Sequence, residues 1–232
     1  MKLRLDKFIS HAANLSREQA RQAVRRRRVK INAAVARSVA STIIDDDIVT
    51  LDGITLSLPS ARYLMLHKPA GYVCATTDAG RPTVLDLLVG MDSSVLAIGG
   101  RLDMDTTGLV LLSDDGQWLH RITSPNYHLP KTYIATLQLP VDAALIEQFA
   151  SGIQLRNEDK ITRPAQCRAL PDNQAEVIIS EGRYHQVKRM FAACNNKVLA
   201  LHRQQIGNIV LDAQLQPGQY RDLTKLEVAS VG

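Results

Sequence analysis

The sequence lacks any long apolar run, and this absence excludes several classes of protein. No stretch approaches the ~18 consecutive apolar residues that a membrane-spanning helix needs. Charged residues at positions 2, 4, 6 and 7 interrupt the amino terminus, which therefore has no signal-peptide core. We expect a cytoplasmic protein that does not associate with membranes.

Cysteine is also scarce. The 232 residues contain three cysteines, Cys74, Cys167 and Cys194, which lie far apart in the chain. An odd, scattered number does not suit a disulfide framework, and no two cysteines have the spacing of a zinc site. This usage is typical of a reducing compartment. The hydrophobic fraction of 45% is ordinary, and the length predicts a folded chain of one or two domains.

Positive charge is unevenly distributed along the chain. Residues 1–60 hold 11 Lys or Arg and 6 Asp or Glu, which accounts for the whole net charge of +5. Residues 61–232 hold 17 residues of each sign and are neutral. The excess is steepest in residues 1–41, with 11 basic and 2 acidic residues. This asymmetry predicts a basic binding module joined to a domain of balanced charge.

Apolar periodicity predicts two helices near the amino terminus. Residues 4–13 have helical spacing, and Ser16 with Gln19 matches a capping box at the start of a second helix. Four arginines spaced 4, 4 and 3 residues apart form one stripe on that helix: Arg17, Arg21, Arg25 and Arg28. Like charges at this spacing cost about 0.2–0.5 kcal/mol per pair. A nucleic-acid polyanion would offset that cost, and a solvated helix face is the alternative.

Short strands follow the basic helix. Residues 29–32 and 33–39 predict two strands around a tight turn, and residues 48–51 predict another before Asp52-Gly53. This order resembles the S4-type RNA-binding module. The matching runs are Arg4-Leu5-Asp6-Lys7-Phe8, Ser16-Arg17, Arg28-Val29-Lys30-Ile31-Asn32 and Asp47-Ile48-Val49. The family usually has glycine at Ala33, which predicts a looser turn. The resemblance implies RNA contacts from Arg4, Lys7, Arg17, Arg21, Arg25, Arg28 and Lys30.

The rest of the chain mixes strand patterns with a few helices. Residues 63–66, 94–98, 108–113, 131–139 and 175–180 predict strands. Helices are predicted at residues 143–150 and 184–193, and another one after the capping pair Asp114-Asp115. We expect an α+β fold with a long mixed, largely antiparallel sheet flanked by helices. The expected division is residues 1–58 for the RNA-binding module, 59–62 for a linker and 63–232 for the second domain.

The loop at residues 100–109 carries the main candidate for chemistry. It has the sequence Gly100-Arg101-Leu102-Asp103-Met104-Asp105-Thr106-Thr107-Gly108-Leu109. A carboxylate held in such a loop can act as a nucleophile or as an acid and base. A loop aspartate more often caps a turn. The loop alone leaves both roles open.

Three motifs together resemble the pseudouridine synthases. They are the run Gly100-Arg101-Leu102-Asp103-x-x-Thr106-x-Gly108-Leu109, the run Lys131-Thr132-Tyr133, and the run Glu181-Gly182-Arg183-Tyr184-His185-Gln186-Val187-Lys188-Arg189-Met190. The resemblance extends from Arg4 to Val228. The S4-type module in front is similar to the branch of the family that modifies ribosomal RNA. Finer runs, including Gly71-Tyr72-Val73-Cys74 and Leu201-His202-Arg203, are most similar to enzymes of the small subunit.

The resemblance implies an isomerase that converts uridine to pseudouridine. The N1–C1′ bond is broken, the uracil turns, and C5 is joined to C1′, so neither a cofactor nor a metal is expected. Asp103 would attack ribose C1′ or uracil C6, or stabilise charge during cleavage. Tyr133 would stack on the uracil and is a candidate for removing the C5 proton. Arg183 would pair with Asp103 and hold it ionised. The alternatives are an ordinary strand aromatic and a surface arginine.

Further residues are expected to line the groove and contact the substrate. They are Lys68, Arg101, Leu102, Thr107, Lys131, His185, Lys188 and Arg189. The expected partner is 16S ribosomal RNA in an assembling small subunit, bound by a monomeric enzyme. Two alternatives remain: a sister enzyme for a large-subunit uridine, and a non-catalytic RNA-binding or ribosome-assembly protein. A pure binding protein would have no need of Asp103, Tyr133 and Arg183 together.

Overall fold

A computed structural model describes residues 3–58 and 60–231 of the chain. Pro59, which belongs to the expected linker, therefore lies outside the described residues, as do Met1, Lys2 and Gly232. The chain divides into two compact units, residues 1–60 and residues 61–232. Each unit has its own apolar core.

The described part of the amino-terminal unit contains two helices and six short strands. These elements are β1 (Leu3–Arg4), α1 (Leu5–Ala12), α2 (Arg17–Arg25), β2 (Val29–Ile31), β3 (Ala34–Val35), β4 (Thr42–Ile43), β5 (Val49–Leu51) and β6 (Ile54–Leu56). Strands β3, β2, β5 and β6 form an antiparallel sheet in that order, and β1 pairs with β4. Apolar residues of both helices and of the sheet share one core, which includes Leu5, Ile9, Val24, Val29 and Val49.

The predicted capping box at α2 is confirmed. The Ser16 hydroxyl accepts a hydrogen bond from the Gln19 N–H at 3.2 Å, and the Gln19 side chain accepts one from the Ser16 N–H at 2.8 Å. The helix ends at Arg25, because Arg27 has a left-handed backbone (φ +58°) that the helix cannot continue through. Arg28 therefore lies beyond the helix, and the stripe has three helical members rather than four.

The turn at Ala33 is tight rather than loose. Asn32 and Ala33 have φ values of +50° and +71°, the pattern of a two-residue hairpin turn. The Asn32 side chain holds the turn by donating to Asp47 Oδ1 at 2.7 Å and accepting from the Ile48 N–H at 2.9 Å. These contacts keep the alanine in a conformation that glycine adopts with less strain.

The carboxy-terminal unit is built on one nine-stranded sheet. Its strands are β7 (Tyr63–Lys68), β8 (Ala97–Gly99), β9 (Thr107–Ser113), β10 (Lys131–Leu137), β11 (Gln166–Leu170), β12 (Gln174–Ile179), β13 (Val198–Ile206), β14 (Ile209–Val210) and β15 (Tyr220–Asp222). The order is β11-β12-β10-β13-β9-β7-β15, with β14 beside β13 and β8 beside β9. Only β13 and β9 run parallel among these described strands. The expected α+β class with a largely antiparallel sheet is confirmed.

Helices cover the sheet on both faces. They are α3 (Gly116–Thr123), α4 (Ala143–Ser151), α5 (Gln186–Ala193) and α6 (Lys225–Ala229). Alternate residues of β9 enter two different cores, so these cores lie on opposite faces. Val110 and Leu112 belong to the core that contains residues of α4 and α5, and Leu109 and Leu111 to the core that contains residues of α3.

Several element boundaries differ from the predictions, including the strand expected at residues 94–98, which is observed at Ala97–Gly99. Two of the differences have a direct cause in the structure. Strand β10 ends at Leu137 instead of 139, because the Asn196 side chain binds both the N–H and the C=O of Leu139. Helix α5 begins at Gln186 instead of 184, because His185 has a left-handed backbone (φ +49°). The second difference shapes the site described below.

The described helices are also short. The longest of them, α2 and α4, have nine residues each. No helix in residues 3–58 and 60–231 has the length and apolar character to cross a membrane.

Candidate active site

A loop between β8 and β9 lies at the centre of the candidate site. Gly108, the second residue of β9, lets the loop approach β13 closely. A Cβ atom there would lie 2.2 Å from the carbonyl oxygen of Arg203, and the φ of +108° is one that side chains rarely adopt. This glycine therefore permits the parallel pairing of β9 and β13 next to the loop.

Arg203 fastens both ends of this loop. The residue is 1% exposed, and its guanidinium donates to the carbonyls of Gly100 and Arg101 at the start of the loop and of Leu109 at its end. A further bond of 3.4 Å reaches the Tyr133 hydroxyl. Buried cations need such acceptors to replace their water shell. Nothing in the sequence singles out Arg203, which occurs only within the matching run Leu201-His202-Arg203.

Lys68 holds the middle of the loop and does not line a groove, contrary to the sequence prediction. It is fully buried, and its ammonium donates to the carbonyls of Pro69, Met104 and Thr106 at 3.0, 3.1 and 2.8 Å. Burial lowers the pKa of Lys68. With three donors used on backbone carbonyls, this residue anchors the loop.

Leu102 is a second departure from the predicted substrate contacts. Its side chain is 8% exposed and belongs to the core, and its N–H donates to Cys74 Sγ at 3.3 Å. Burial raises the pKa of the Cys74 thiol. Leu102 therefore packs this part of the loop against the core. The next side chain, that of Asp103, remains 26% exposed.

Two side chains near the start of α5 contact the Asp103 carboxylate. Lys188 Nζ lies 3.0 Å from Oδ2, and His185 Nε2 lies 3.4 Å from Oδ1. Lys188 also binds Asp105 at 2.6 Å. Burial acts to lower the pKa of Lys188, but its bonds to Asp105 and Asp103 outweigh burial and raise it. The bond from Lys188 lowers the pKa of Asp105. The loop carboxylate therefore faces a charged ammonium.

Arg183 does not pair with Asp103, so that expectation is corrected. Its guanidinium binds Glu181 and Glu158 and donates at 2.7 Å to the carbonyls of residues 160 and 161. The segment before α5 turns at the left-handed His185, which directs Arg183 away and brings Lys188 to the loop. His185 and Lys188 are three residues apart, a spacing that puts both on one side of a helical turn. That spacing was the available signal for Lys188.

Tyr133 lies on β10 directly opposite Arg203 of β13. Its ring is 8% exposed, and the Arg203 guanidinium lies 5.9 Å from the ring centroid. Lys131, two residues earlier, donates to the carbonyl of Leu129 at 2.9 Å, and burial lowers its pKa. Arg203 therefore connects the tyrosine with the loop that carries the carboxylate.

The remaining predicted contacts divide into exposed and internal side chains. Arg101 is exposed and pairs with no other side chain within the described ranges. Thr107 Oγ1 lies 2.9 Å from Nδ1 of His202. Arg189 binds Glu158 at 2.8 Å and the carbonyls of Arg156 and Tyr184, so it anchors backbone instead of facing a substrate.

The basic stripe of the amino-terminal unit is organised by a buried carboxylate. Arg4, Arg17 and Arg21 all bind Asp6, which has no exposed surface. Burial acts to raise the pKa of Asp6, but the hydrogen bonds from Arg17, Arg4 and Arg21 outweigh it and lower the pKa to about 2. Part of the repulsion among these arginines is therefore offset by a carboxylate of the protein itself. The sequence had suggested a nucleic-acid polyanion for this task.

The other basic residues predicted to contact RNA do not bind Asp6. Arg25 is 67% exposed and lies 3.5 Å from Glu18, and Arg28 binds Asp52. Lys7 and Lys30 are exposed and form no ion pair or hydrogen bond with other side chains of the described residues. Lys7 and Lys30 therefore keep their side-chain donors free for an anionic partner, whereas Arg25 and Arg28 would have to exchange a protein carboxylate for it.

Comparisons with known proteins define the class. The family model for RNA pseudouridylate synthase matches residues 62–193, and the S4 domain model matches residues 3–49. The chain belongs to the RNA pseudouridylate synthase family, and it is an isomerase that carries an amino-terminal S4 domain.

Similar proteins cover the chain from end to end. Ribosomal small subunit pseudouridine synthase A of Escherichia coli (strain K12) is 50% identical over 230 residues, which is 99% of this chain and 100% of that protein. The protein of the same name from Vibrio cholerae is 45% identical over 229 residues, 99% of both chains. A crystal structure of a pseudouridylate synthase has a TM-score of 0.72 and 46% identity, covering 99% of this chain and all of that one.

Proposed function

We propose that this enzyme isomerises one uridine of 16S ribosomal RNA to pseudouridine, with Asp103 as the nucleophile. The observation that carries the proposal is the Asp103 carboxylate, partly exposed on a loop anchored by Arg203 and Lys68 and paired with Lys188. The small-subunit names of relatives that match the whole chain support the choice of RNA.

The reaction rearranges one nucleotide without a net change in its atoms. The N1–C1′ bond breaks, the base turns, and the C5–C1′ bond forms, while C5 loses a proton and N1 gains one. Asp103 attacks C1′ or C6, or stabilises the charge that develops as the glycosidic bond breaks. Lys188 pairs with the carboxylate and holds it in place, in the role that the resemblance implied for Arg183.

Tyr133 and the exposed cations complete the proposed site. The tyrosine ring stacks on the uracil, and its hydroxyl removes the C5 proton. Arg101 contacts a phosphate of the RNA. The target base must leave its stack to reach Asp103, which costs a few kcal/mol of unstacking.

The S4 domain supplies affinity and register in this proposal. Its exposed basic side chains, Lys7, Arg25, Arg28 and Lys30, contact phosphates, and the shape and single-stranded bases of the RNA provide specificity. We propose that a monomer acts on the assembling small subunit.

Release of the C5 hydrogen tests the proposal directly. We expect the intact protein to release tritium from 16S rRNA labelled at uridine C5, and Asp103→Asn to release none, because the amide cannot act as the nucleophile. Asp172→Asn is the control, since Asp172 is an exposed turn residue with a left-handed backbone that asparagine tolerates. Release at a substantial rate by Asp103→Asn would disprove the role of Asp103.

Comparison of RNA substrates separates the alternatives. Free 16S rRNA, an assembly intermediate of the small subunit and 23S rRNA are each tested with the intact protein. Release from 23S rRNA alone would identify the sister enzyme for the large subunit. If the protein binds these RNAs but releases tritium from none of them, the non-catalytic RNA-binding protein would be the remaining alternative.

A further inference from the structure

An exposed aromatic pair lies immediately beside the candidate active site. Tyr184 is 77% exposed, although tyrosine usually packs part of its ring against the protein. Its ring stacks on His185, with 3.8 Å between ring centroids and 20° between planes. Tyr184 lies within the third run that matches the family, but the resemblance implies no role for it and the reaction described above does not use it.

The stacking of two consecutive side chains requires an unusual backbone. Neighbouring residues point to opposite faces of a strand and do not face each other on a helix. The left-handed backbone of His185 (φ +49°) is what allows the two rings to meet. For a residue other than glycine this conformation is strained, and such strain is concentrated at functional sites.

The segment around the pair is held rigidly. The Arg183 N–H donates to Gln186 Oε1 at 2.9 Å, and Arg189 donates to the carbonyl of Tyr184 at 3.2 Å. Arg183 itself is fixed by Glu181 and Glu158. The exposed ring is therefore presented on a fixed backbone, so little of its freedom remains to be lost on binding.

The pair is coupled to the proposed nucleophile through His185. Its Nε2 lies 3.4 Å from Asp103 Oδ1, while its ring face contacts Tyr184. Since Tyr184 remains 77% exposed with His185 stacked on it, its other face is open to solvent. Through His185 this face lies near Asp103, where the proposed function puts the target uridine. A base that neighbours this uridine has lost a stacking partner after the uridine leaves the stack.

We propose that the open face of Tyr184 stacks on an unpaired nucleobase of the RNA adjacent to the target uridine. The inference rests on the proposed function and adds a second nucleotide subsite to it. A base–aromatic stack is tolerant of sequence, because every base has a π-face. The subsite therefore recognises an unstacked nucleotide in this position and stabilises the RNA conformation in which the uridine is extruded.

Substitution of Tyr184 in the full-length protein tests the stack. In equilibrium binding to a 16S rRNA fragment that releases tritium, Tyr184→Ala should raise Kd by about 5- to 150-fold, the range for loss of one base–aromatic stack. Tyr184→Phe and Tyr184→Trp should bind within about twofold of the wild type, because both keep a ring. The kcat of Tyr184→Ala at saturating RNA should fall much less than its KM rises.

Tyr127→Ala is the matched control. Tyr127 is also an exposed tyrosine, 53% exposed, and it contacts a histidine, His120, at 6.1 Å between centroids. It is not part of the candidate site, so its removal should leave Kd unchanged. Equal weakening by both substitutions would mean a general effect on the surface and would overturn the subsite.

Abasic nucleotides identify the stacked base. An abasic residue is placed on the 5′ or the 3′ side of the target uridine, and Kd is measured with wild type and with Tyr184→Ala. At the stacked position, the two changes together should weaken binding no more than either alone, because both remove the same contact. Fully additive effects at both positions, or unchanged Kd in Tyr184→Ala, would overturn the inference.

The two proposals fail in different ways. Absence of tritium release by the intact protein from every ribosomal RNA would overturn the proposed function. Normal release together with an unaffected Kd in Tyr184→Ala would overturn only the nucleobase subsite.

Discussion

A single ammonium group, that of Lys188, lies between two carboxylates of the loop at residues 100–109. It is 3.0 Å from Asp103 and 2.6 Å from Asp105, and the pKa of Lys188 is raised by these contacts in spite of burial. The neighbouring basic residues Arg183 and Arg189 instead bind Glu158 and backbone carbonyls. The three cations of this motif therefore differ in their contacts. Lys188 orients the Asp103 carboxylate, whereas Arg183 and Arg189 hold the backbone around the start of α5.

Removal of the Lys188 charge should affect chemistry more than folding. We expect Lys188→Met to slow single-turnover tritium release by about 10²- to 10³-fold, the loss typical of one charge-stabilising donor. Lys225→Met, at an exposed lysine on α6, should retain the wild-type rate. Arg183→Met should lower Tm while keeping more activity than Lys188→Met at a permissive temperature. A wild-type rate in Lys188→Met would contradict its role.

At the scale of elements, buried charged side chains connect separate elements of each unit. Asp6 on α1 receives hydrogen bonds from Arg17 and Arg21 on α2, and so joins the two helices of the S4 domain. In the other unit, the hydrogen bonds of Arg203 on β13 add to the backbone pairing with β9 and also hold the loop at residues 100–109 and Tyr133. Each group is costly to bury unless all of its partners are present.

The Asp6 contacts predict a pH dependence of stability. The pKa of Asp6 is about 2 in the folded state and ~3.9 in an unfolded chain. A lowered pKa contributes stability that is fully present above about pH 4 and is lost as the pH falls towards 2. In thermal unfolding between pH 6 and pH 2, the stability difference between wild type and Asp6→Asn should therefore shrink. The exposed Asp46→Asn serves as control, and a difference independent of pH would refute the assignment.

For the whole molecule, the net positive charge and the proposed catalytic residues belong to different units. All of the +5 net charge is in residues 1–60, whereas Asp103, Lys188 and Tyr133 belong to the unit formed by residues 61–232. Electrostatic affinity for RNA should therefore depend on side chains remote in sequence from the reacting groups.

Salt dependence of RNA binding tests this division. Substitution of Arg17, Arg21 and Arg25 by Gln should weaken binding and flatten the plot of log K against log salt, by about 0.7–0.9 for each lost phosphate contact. Because Arg17 and Arg21 also hold Asp6, the variant Lys7→Gln/Arg25→Gln/Lys30→Gln gives the cleaner measurement. Lys225→Gln is the control. An unchanged slope in both triple variants would show that these residues are only a solvated surface.

Local patterns predicted most of the secondary structure. Apolar periodicity and the Ser16 capping signal located α1 and α2, alternation located β10, and short strand-like runs located β9 and β12, because these features depend only on residues close in sequence. The three motifs also placed the carboxylate in its loop. Lys68 shows the limit of such reasoning, since nothing in the run Lys68-Pro69 indicates that its ammonium is buried under residues 104 and 106.

Sequence alone therefore determined the family, the order of the two units, the segregation of positive charge and the identity of the loop that bears Asp103. Only the tertiary structure decided which cation pairs with that carboxylate, which cations merely anchor backbone, and where an aromatic ring remains open. These outcomes depend on contacts between segments as distant as residues 103 and 188, and on one left-handed residue, His185, that redirects the chain before α5. The distances involved are fixed by packing of the sheet and helices, which a local pattern does not encode.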